Sequence, residues 1–380
     1  MKIIYITNNR MPSEKAHSFQ VIKMCESFFN AGIKIELWVP KRFNAIKEDP
    51  FIYYNIRPVF KIIKIPVIDP IPLEIIFGHV ANLIESLTFA LSGYWRLRKN
   101  KECSVYSRDQ FILWFLSFSK NRFIYEIHSF PGKPFFYDRI WKKADKIIAI
   151  TAALKQKIVE RGIDGGKILV APDAVDLAAF DAVKTDKEEL KMELGLPKEF
   201  LVGYVGRFKT LGMEKGIKNM IEVLPMLGSD IKMVFVGGEE QEIKEYKILA
   251  GRLNVLPQCV FIGYQSYSKI IKYTKAMDAV VIPFPNKLHY AYYASPLKLF
   301  EYMASGRPII SSDLPALREV LNDKNALFFK PEDAAGLARA IKMIKSSQML
   351  GYHLSRQALA DVKEYTWDNR AKNILNFIQQ

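Results

Sequence analysis

The sequence predicts an α/β protein built from two parallel-sheet domains in tandem. Its 380 residues suffice for two domains of ordinary size. Short apolar segments alternate with amphipathic helical ones, the pattern of a parallel sheet whose strands are connected by helices. The alternation pauses across Pro172–Lys198, where acidic residues cluster, and then begins again. We therefore expect the linker and the entry to a second domain in this segment.

The elements of the first half follow in order. The expected strands are KIIYIT, KIELWVP, SVYSRD, FIYEIHS, ADKIIAIT and KILVAP. The expected helices are AHSFQVIKMCESFFNAG, which ends near Gly32, a long helix over 73–99, and shorter ones over 111–119 and 136–143. The proline-rich stretch 56–72 is expected to be irregular.

The second half repeats the alternation with different residues. The expected strands are FLVGYVGRF, IKMVFVGG, CVFIGY, AMDAVVIPF, RPIISSD and NALFFK. The expected helices begin at Gly216, run over 244–253, follow CVFIGY briefly, and include SPLKLFEYMAS and AAGLARAIKMIK. TWDNRAKNILNFIQQ is a last helix.

Composition excludes several classes of protein. The three cysteines are far apart and form no CxxC pair, so neither a disulfide framework nor a zinc site is predicted. No metal site is expected, and the chain is expected in the cytoplasm. The apolar segment at the start is too short for a signal peptide, and His79 and Glu85 interrupt the most hydrophobic region, residues 75–95. We therefore expect no transmembrane helix.

The positive charge lies mainly in the first part of the chain. Net charge is +15, of which residues 1–150 carry +10. No nucleic-acid motif accompanies it, so nucleic acid is not an expected partner. A phosphorylated substrate, an anionic membrane surface and a solvated basic surface remain open. The long helix ends in WRLRKNK, which suits a bilayer surface or, equally, a core helix with a solvated basic end.

A candidate phosphate site lies at the carboxyl ends of second-half strands. In SPLKLFEYMASG, Ser295 is the expected N-cap, Pro296 the first helical residue and Gly306 the stop. Lys298 and Glu301 share one face, as a surface ion pair or as ligands. Gly206, Arg207 and Lys215 follow another strand, where the alternative is a structural turn with solvated cations. Together, the cations and the helix start could hold a diphosphate, and Glu301 could accept hydrogen bonds from a ribose.

The motifs VGRF…EKG and SPLKLFEYMASGRPIISSDLPALREVL resemble the nucleotide-sugar domain of family 4 glycosyltransferases, also called group 1, which have the GT-B fold. RMPSEKAHSFQVIKMCESFFNAG, YSRD, YEIHSFP and APDAVDLAAF fall in family order. The resemblance implies two Rossmann-like domains facing across a cleft: 1–172 for the acceptor, completed by a helix over 366–380 that crosses back, and 173–365 for the donor. It also implies retaining transfer of a sugar from a nucleoside-diphosphate sugar to an acceptor hydroxyl, without metal or cofactor.

The resemblance assigns residues in the second domain. Glu301 is the expected ribose ligand, and Arg207 and Lys215 are the diphosphate cations. Ser295, Pro296 and Leu297 match the backbone that approaches the diphosphate or sugar. Tyr293 stands where the family has a glutamate near the donor sugar, which leaves the donor open.

In the first domain, His128 matches a histidine near the donor sugar, with a structural role as the alternative. Arg10, Lys15 and His17 lie in the first βα loop, which lines the cleft in this fold. Arg108 ends a strand and either faces the acceptor or pairs with Asp109. A glycan or lipid-linked acceptor in surface-polysaccharide assembly is expected, together with peripheral membrane contact. A non-catalytic scaffold subunit and a nucleotide-sugar 2-epimerase are the alternatives.

Overall fold

The computed structural model describes residues 1–71, 78–100, 102–210 and 212–380. They form two compact units: Met1–Asp173 with Trp367–Gln380, and Ala174–Thr366. The sequence placed the boundaries at 172/173 and 365/366. Each unit contains a parallel sheet with helices, so the predicted fold class is confirmed.

The described residues of the first domain form a parallel seven-stranded sheet in the order β3-β2-β1-β4-β5-β6-β7. Its strands are β1 (Lys2–Ile6), β2 (Lys34–Lys41), β3 (Lys61–Pro66), β4 (Ser104–Ser107), β5 (Phe123–Ile127), β6 (Lys146–Ala149) and β7 (Ile168–Val170). Its helices are α1 (Ala16–Asn30), α2 (Pro50–Tyr53), α3 (His79–Leu97), α4 (Gln110–Leu116), α5 (Phe135–Lys143) and α6 (Ala152–Val159).

Strand β3 corrects the expectation of an irregular stretch over 56–72. It pairs in parallel with β2, from Glu36 opposite Lys61 to Lys41 opposite Pro66. Its sequence, KIIKIP, contains three isoleucines, but exposed lysines interrupt them and a proline ends the strand, as an edge strand permits. The predicted start of the long helix at residue 73 falls outside the described residues.

The described residues of the second domain form a parallel six-stranded sheet in the order β12-β11-β8-β13-β14-β15, and a short hairpin of β9 and β10. The strands are β8 (Phe200–Val205), β9 (Lys209–Thr210), β10 (Met213–Glu214), β11 (Ile231–Val236), β12 (Cys259–Ile262), β13 (Ala279–Ile282), β14 (Ile309–Ser312) and β15 (Leu327–Phe329). The helices are α7 (Leu177–Ala182), α8 (Lys187–Glu193), α9 (Ile217–Glu222), α10 (Glu240–Arg252), α11 (Tyr267–Ala276), α12 (Leu297–Ser305), α13 (Pro315–Arg318), α14 (Ala334–Ser346) and α15 (Gln348–Asp361).

Apolar side chains cover both faces of the second sheet. Along β8, Leu201 and Val205 enter one core cluster and Val202 and Tyr204 the other, as the alternation of a strand requires. Helix α12 contributes Phe300 to the first cluster. This double burial explains why the strands read as continuous apolar runs.

The last helix, α16 (Trp367–Gln379), belongs to the first domain, as predicted, and it packs against α1. Its Arg370 is buried and donates to the carbonyl oxygen of Pro172 at 2.8 Å. Just before it, the backbone N–H of Val175 donates to the carbonyl of Tyr365 at 2.9 Å. The chain segments that enter and leave the second domain therefore run side by side.

Gly216, which precedes α9, is predicted to tolerate no side chain. Its φ is +91°, and a Cβ there would lie 1.8 Å from the carbonyl oxygen of Pro283. We expect Gly216→Ala to destabilise the second domain by more than the ~1–3 kcal/mol of backbone strain alone, measured by urea unfolding. Gly251→Ala is the control, because a Cβ at this helical position meets open space. It should be neutral or stabilising by up to ~1 kcal/mol, and equal effects of the two changes would contradict the prediction.

Candidate functional site

The carboxyl edge of the second sheet brings Gly206 and Lys298 together. Gly206 follows β8 with φ of +128°, and its N–H donates to the carbonyl of Val236 at 2.8 Å. A Cβ on Gly206 would lie 2.9 Å from the Nζ of Lys298. The lack of a side chain at Gly206 therefore leaves room for the Lys298 ammonium beside the backbone.

Helix α12 is fixed against β8 by Tyr302. Its hydroxyl accepts from the N–H of Val205 at 2.7 Å and lies 3.3 Å from the carbonyl of the same residue. The helix begins at Leu297, and Pro296, with extended backbone, occupies the N-cap position. The predicted cap at Ser295 is therefore wrong, because the helix starts one residue later than the Ser-Pro pattern indicates.

Lys298 is only 7% exposed, although the sequence allowed a surface ion pair with Glu301. Its Nζ lies 3.4 Å from the ring centroid of Tyr204, and among the described residues it finds no hydrogen-bond acceptor. A buried ammonium without an acceptor is costly, and the Tyr204 ring offsets only part of that cost. The surface-pair alternative is thus wrong, and no carboxylate within the described ranges forms a salt bridge with the Lys298 ammonium.

Burial and like charge shift the pKa values of this cluster. Burial, with Lys215 nearby, lowers the pKa of Lys298 well below its usual value. Burial, with Arg207 nearby, lowers the pKa of Lys215 to about 8. Burial raises the pKa of Glu301 to about 7, against the opposing effect of Lys298. The structure therefore brings these predicted site residues into one group of interacting charges.

The loop that carries Lys215 is held by Glu214. The Glu214 carboxylate accepts from the N–H of Gly216 at 2.7 Å and of Lys218 at 3.1 Å. The Arg207 side chain is 40% exposed, and its Nη1 lies 3.8 Å from a carboxylate oxygen of the exposed Glu239.

A π-helical turn over His289–Tyr293 precedes α12, and no sequence signal had indicated it. The Tyr290 hydroxyl donates to the carbonyl of Met213 at 3.2 Å, which joins this turn to the β9–β10 hairpin. Tyr293 is buried within it, and Ser295 and Leu297 are half-buried. Turns of this type occur often at functional sites because they redirect the chain.

In the first domain, His128 follows β5 and its Nε2 lies 2.5 Å from Oε1 of Glu126. Glu126 is buried and also accepts from the hydroxyl of Tyr106 and from Arg370, whose Nη1 is 3.4 Å away. Although burial opposes its charge, Arg370 and His128 lower the pKa of Glu126 well below its usual value. Burial, with Arg108 nearby, lowers the pKa of His128 to about 4, so its imidazole is neutral near pH 7.

Arg108 does not pair with Asp109. Its Nη1 donates to Oε1 of Gln20 at 3.1 Å, and the Gln20 amide donates to Asp173 at 2.5 Å. Asp109 instead caps α4, accepting from the N–H groups of Phe111 and Ile112 at 3.0 and 3.1 Å. The predicted pair is corrected because a helix cap satisfies the carboxylate locally.

The three predicted residues of the first loop separate. Arg10 pairs with Glu14 at 2.9 Å. Lys15 is exposed at the N-cap position of α1, and His17 follows in its first turn. Burial, with Arg108 and Lys15 nearby, lowers the pKa of His17 to about 3. His17 therefore joins the Arg108–His128 group, whereas the Arg10 guanidinium is engaged elsewhere.

Sequence reasoning missed Gln20, Asp173 and Arg370, which complete the polar network around Glu126. No local motif marks them, since their partners are far away in sequence. Within the part of the chain that the structure describes, there is no group of three metal-ligating side chains. None of the helices in that part of the chain is long and apolar enough to cross a membrane.

Comparisons with known proteins extend these observations. Residues 186–361, within the second domain, match the family model "Glycosyl transferases group 1". An uncharacterized glycosyltransferase of Methanocaldococcus jannaschii is 26% identical over 285 residues, 69% of each chain. A putative teichuronic acid biosynthesis glycosyltransferase of Bacillus subtilis is 27% identical, and the match spans 56% of this chain and only 50% of that protein. The Anabaena protein HepE, solved in complex with UDP-glucose, shares the fold at a TM-score of 0.75 and 16% identity, over 100% of this chain and 99% of that one.

Proposed function

We propose that this chain, whose residues 186–361 match the family model "Glycosyl transferases group 1", transfers a sugar from a nucleoside-diphosphate sugar to an acceptor hydroxyl with retention of configuration. The observation that carries the proposal is the buried ammonium of Lys298, which lies beside Gly206 without a hydrogen-bond acceptor among the described residues. Lys215 and Arg207 add positive charge around it. A diphosphate is the ligand that would relieve this concentration of charge.

Each group of the second domain has a role in this proposal. Lys298, Lys215, Arg207 and the first amides of α12 bind the diphosphate. They stabilise the negative charge that grows on the diphosphate as the glycosidic bond breaks. Glu301 accepts hydrogen bonds from the ribose hydroxyls. The acceptor hydroxyl attacks from the same face and gives its proton to a departing phosphate oxygen, so these cations can assist departure without a metal.

His128 is proposed to bind a hydroxyl of the donor sugar or acceptor. Glu126 is ionised, so the neutral imidazole presents its Nε2–H to that carboxylate. Nδ1 then carries the lone pair and can accept from a hydroxyl group. Arg108 and His17, which interact electrostatically with His128, are the proposed neighbours of the acceptor.

A glycan or lipid-linked acceptor in surface-polysaccharide assembly is proposed from the relative named for teichuronic acid biosynthesis. The buried Tyr293, where the family has a glutamate, favours a second candidate, a subunit that binds the donor without turnover.

The test is a panel of UDP-, GDP-, ADP- and dTDP-sugars, each incubated with the purified protein, with and without an extract of lipid-linked glycans. Release of the free nucleoside diphosphate together with a glycosylated product supports the proposed transfer, and the anomeric configuration of that product tests retention. Binding without turnover would support the scaffold, and a changed sugar on an intact nucleotide would indicate an epimerase.

Donor binding is predicted to depend on pH. Lys215 has a pKa of about 8, and a bound diphosphate would raise it, so affinity should fall as the pH rises above 8. Glu301 has a pKa of about 7, and ribose hydroxyls would favour its charged form, so affinity should also fall below pH 7. Calorimetry with the nucleoside diphosphate selected by the panel, in two buffers of different ionisation enthalpy, should show proton uptake near pH 8.5.

Lys215→Arg is the diagnostic variant, because arginine stays charged and should reduce the loss of affinity above pH 8, to which the buried Lys298 also contributes. Lys218→Ala, at an exposed lysine nearby, should leave the profile unchanged. Affinity that increases from pH 8 to 9 in the unmodified protein would contradict the assignment of Lys215.

A further inference from the structure

Helix α3 of the first domain carries an apolar stripe on its outer face. The stripe consists of residues spaced three or four apart, with exposed fractions between 36% and 61%: Val80, Leu83, Leu87, Leu91 and Trp95. At 100° per residue these side chains fall within about 120° of one another. They therefore form one continuous face of the helix.

This stripe is not the core face of the helix. Ala81, Glu85, Phe89 and Leu97 lie on the other side and are at most 1% exposed. The Glu85 carboxylate accepts a hydrogen bond from the side-chain amide of Asn8 at 2.8 Å and lies 3.5 Å from Nη1 of Arg42. A surface helix ordinarily presents polar residues opposite its buried face, and α3 instead presents leucines and a tryptophan.

Aromatic side chains of the neighbouring helix extend the stripe. Tyr94 of α3 lies 6.1 Å from Phe115 of α4, ring centroid to ring centroid. Beside Phe115, the rings of Trp114 and Phe118 are 4.8 Å apart and 42% and 55% exposed. We call the stripe together with Trp114 and Phe118 the outer apolar face.

Cations border the outer apolar face. The guanidinium of Arg98 lies 4.9 Å from the ring centroid of Trp95, and that of Arg139 lies 3.8 Å from Phe118. Arg96 and Lys99 add exposed charge at the end of α3. The single carboxylate of α3, Glu85, is on the buried side. Helices that lie in the headgroup region of a bilayer typically carry tryptophan and arginine at the edge of an apolar stripe, as α3 does.

We propose that the outer apolar face docks the protein on the surface of an anionic lipid bilayer. The leucines would enter the boundary between headgroups and acyl chains, and Arg96, Arg98, Lys99 and Arg139 would contact lipid phosphates. A second copy of the chain fits less well, because a two-fold interface would bring these same cations against each other. The net charge of +10 on residues 1–150 favours an anionic surface as well. The proposal does not depend on the chemistry of the second domain.

Vesicle flotation of the full chain tests the proposal directly. Phosphatidylcholine vesicles with and without about a third phosphatidylglycerol would be compared at low and high salt. We expect binding to the anionic vesicles at low salt and at least tenfold weaker binding to neutral ones. Leu91→Glu with Trp95→Glu should reduce the bound fraction at least tenfold, and so should Arg98→Glu with Lys99→Glu. Ile248→Glu, at an exposed apolar residue of α10 in the second domain, is the matched control.

Intrinsic fluorescence gives a second readout that needs no variant. Of the five tryptophans, Trp38, Trp141 and Trp367 are buried, and Trp95 and Trp114 are exposed on the outer apolar face. Binding to anionic vesicles should therefore shift the emission to shorter wavelength. Absence of binding at low salt overturns the proposal, as does binding that the Glu variants do not weaken or that leaves the emission unchanged. Dimerisation lost in the Leu91→Glu, Trp95→Glu variant, without vesicle binding, would assign the face to a second copy instead.

Discussion

Replacing Lys298 with methionine is expected to make the ligand-free protein more stable and to abolish most of its affinity for a nucleoside diphosphate. Methionine keeps the apolar stem over Tyr204 and removes a buried ammonium that finds no acceptor among the described residues. Relief of an unpaired buried charge should stabilise the second domain by ~1–3 kcal/mol. Loss of a charge-assisted bond to phosphate should weaken binding by roughly 10- to 100-fold. Urea unfolding with and without the nucleotide measures both effects.

Lys191 offers a matched control in the same domain. It is also buried, but its Nζ lies 2.8 Å from Oδ2 of Asp278 and 3.3 Å from the carbonyl of Glu199. Lys191→Met should therefore destabilise the domain by ~1–3 kcal/mol and leave the intrinsic affinity for the nucleotide unchanged. If Lys298→Met destabilises the protein as Lys191→Met does, Lys298 is structural and the diphosphate assignment loses its main support.

Replacing Arg370 with methionine is expected to destabilise the first domain by about 3–5 kcal/mol. Arg370 is buried, and both of its terminal nitrogens lie 3.4 Å from carboxylate oxygens of Glu126, which is itself only 3% exposed. Without the guanidinium, the carboxylate would remain buried with only Tyr106 and His128 as partners. Urea unfolding followed by the fluorescence of Trp141 and Trp38, both buried in this domain, measures the loss.

Two further variants separate the electrostatic cause from lost packing. Adding Glu126→Gln to Arg370→Met removes the uncompensated charge and should restore at least half of the lost stability. Arg122→Met removes an exposed arginine 3.6 Å from Asp145 and should cost less than ~1 kcal/mol. If the double variant is no more stable than Arg370→Met alone, the ion pair is not what makes Arg370 important.

The sequence was sufficient for features that local patterns encode. The strands of the second sheet are buried on both faces, so each appears as an apolar run, and Gly206, Arg207 and Lys215 follow such a run. The burial of Lys298 was beyond this reasoning. Its position on a helical wheel permits both a surface pair and a buried ammonium, and only packing against Tyr204 decides between them.

The polar network of the first domain could not be predicted for a different reason. Arg370 and Glu126 are 244 residues apart, and no pattern in one sequence pairs them. Likewise, the π-helical turn over His289–Tyr293 carries no signal in its residues, and β3 was missed because exposed lysines interrupt its isoleucines and prolines lie close to it. Long-range pairing and edge exposure, rather than helix or strand propensity, account for these errors.

The position of α16 has a consequence for synthesis on the ribosome. The second domain, Ala174–Thr366, lies between the two parts of the first domain in the sequence. The ribosome therefore synthesises all of it before Trp367–Gln379. Until then the Glu126 carboxylate lacks its Arg370 partner, and the first domain stays incomplete and exposed to chaperones. The second domain can already fold at that stage. Released chains truncated after Thr366 should accordingly show a protease-resistant second domain and a protease-sensitive first one.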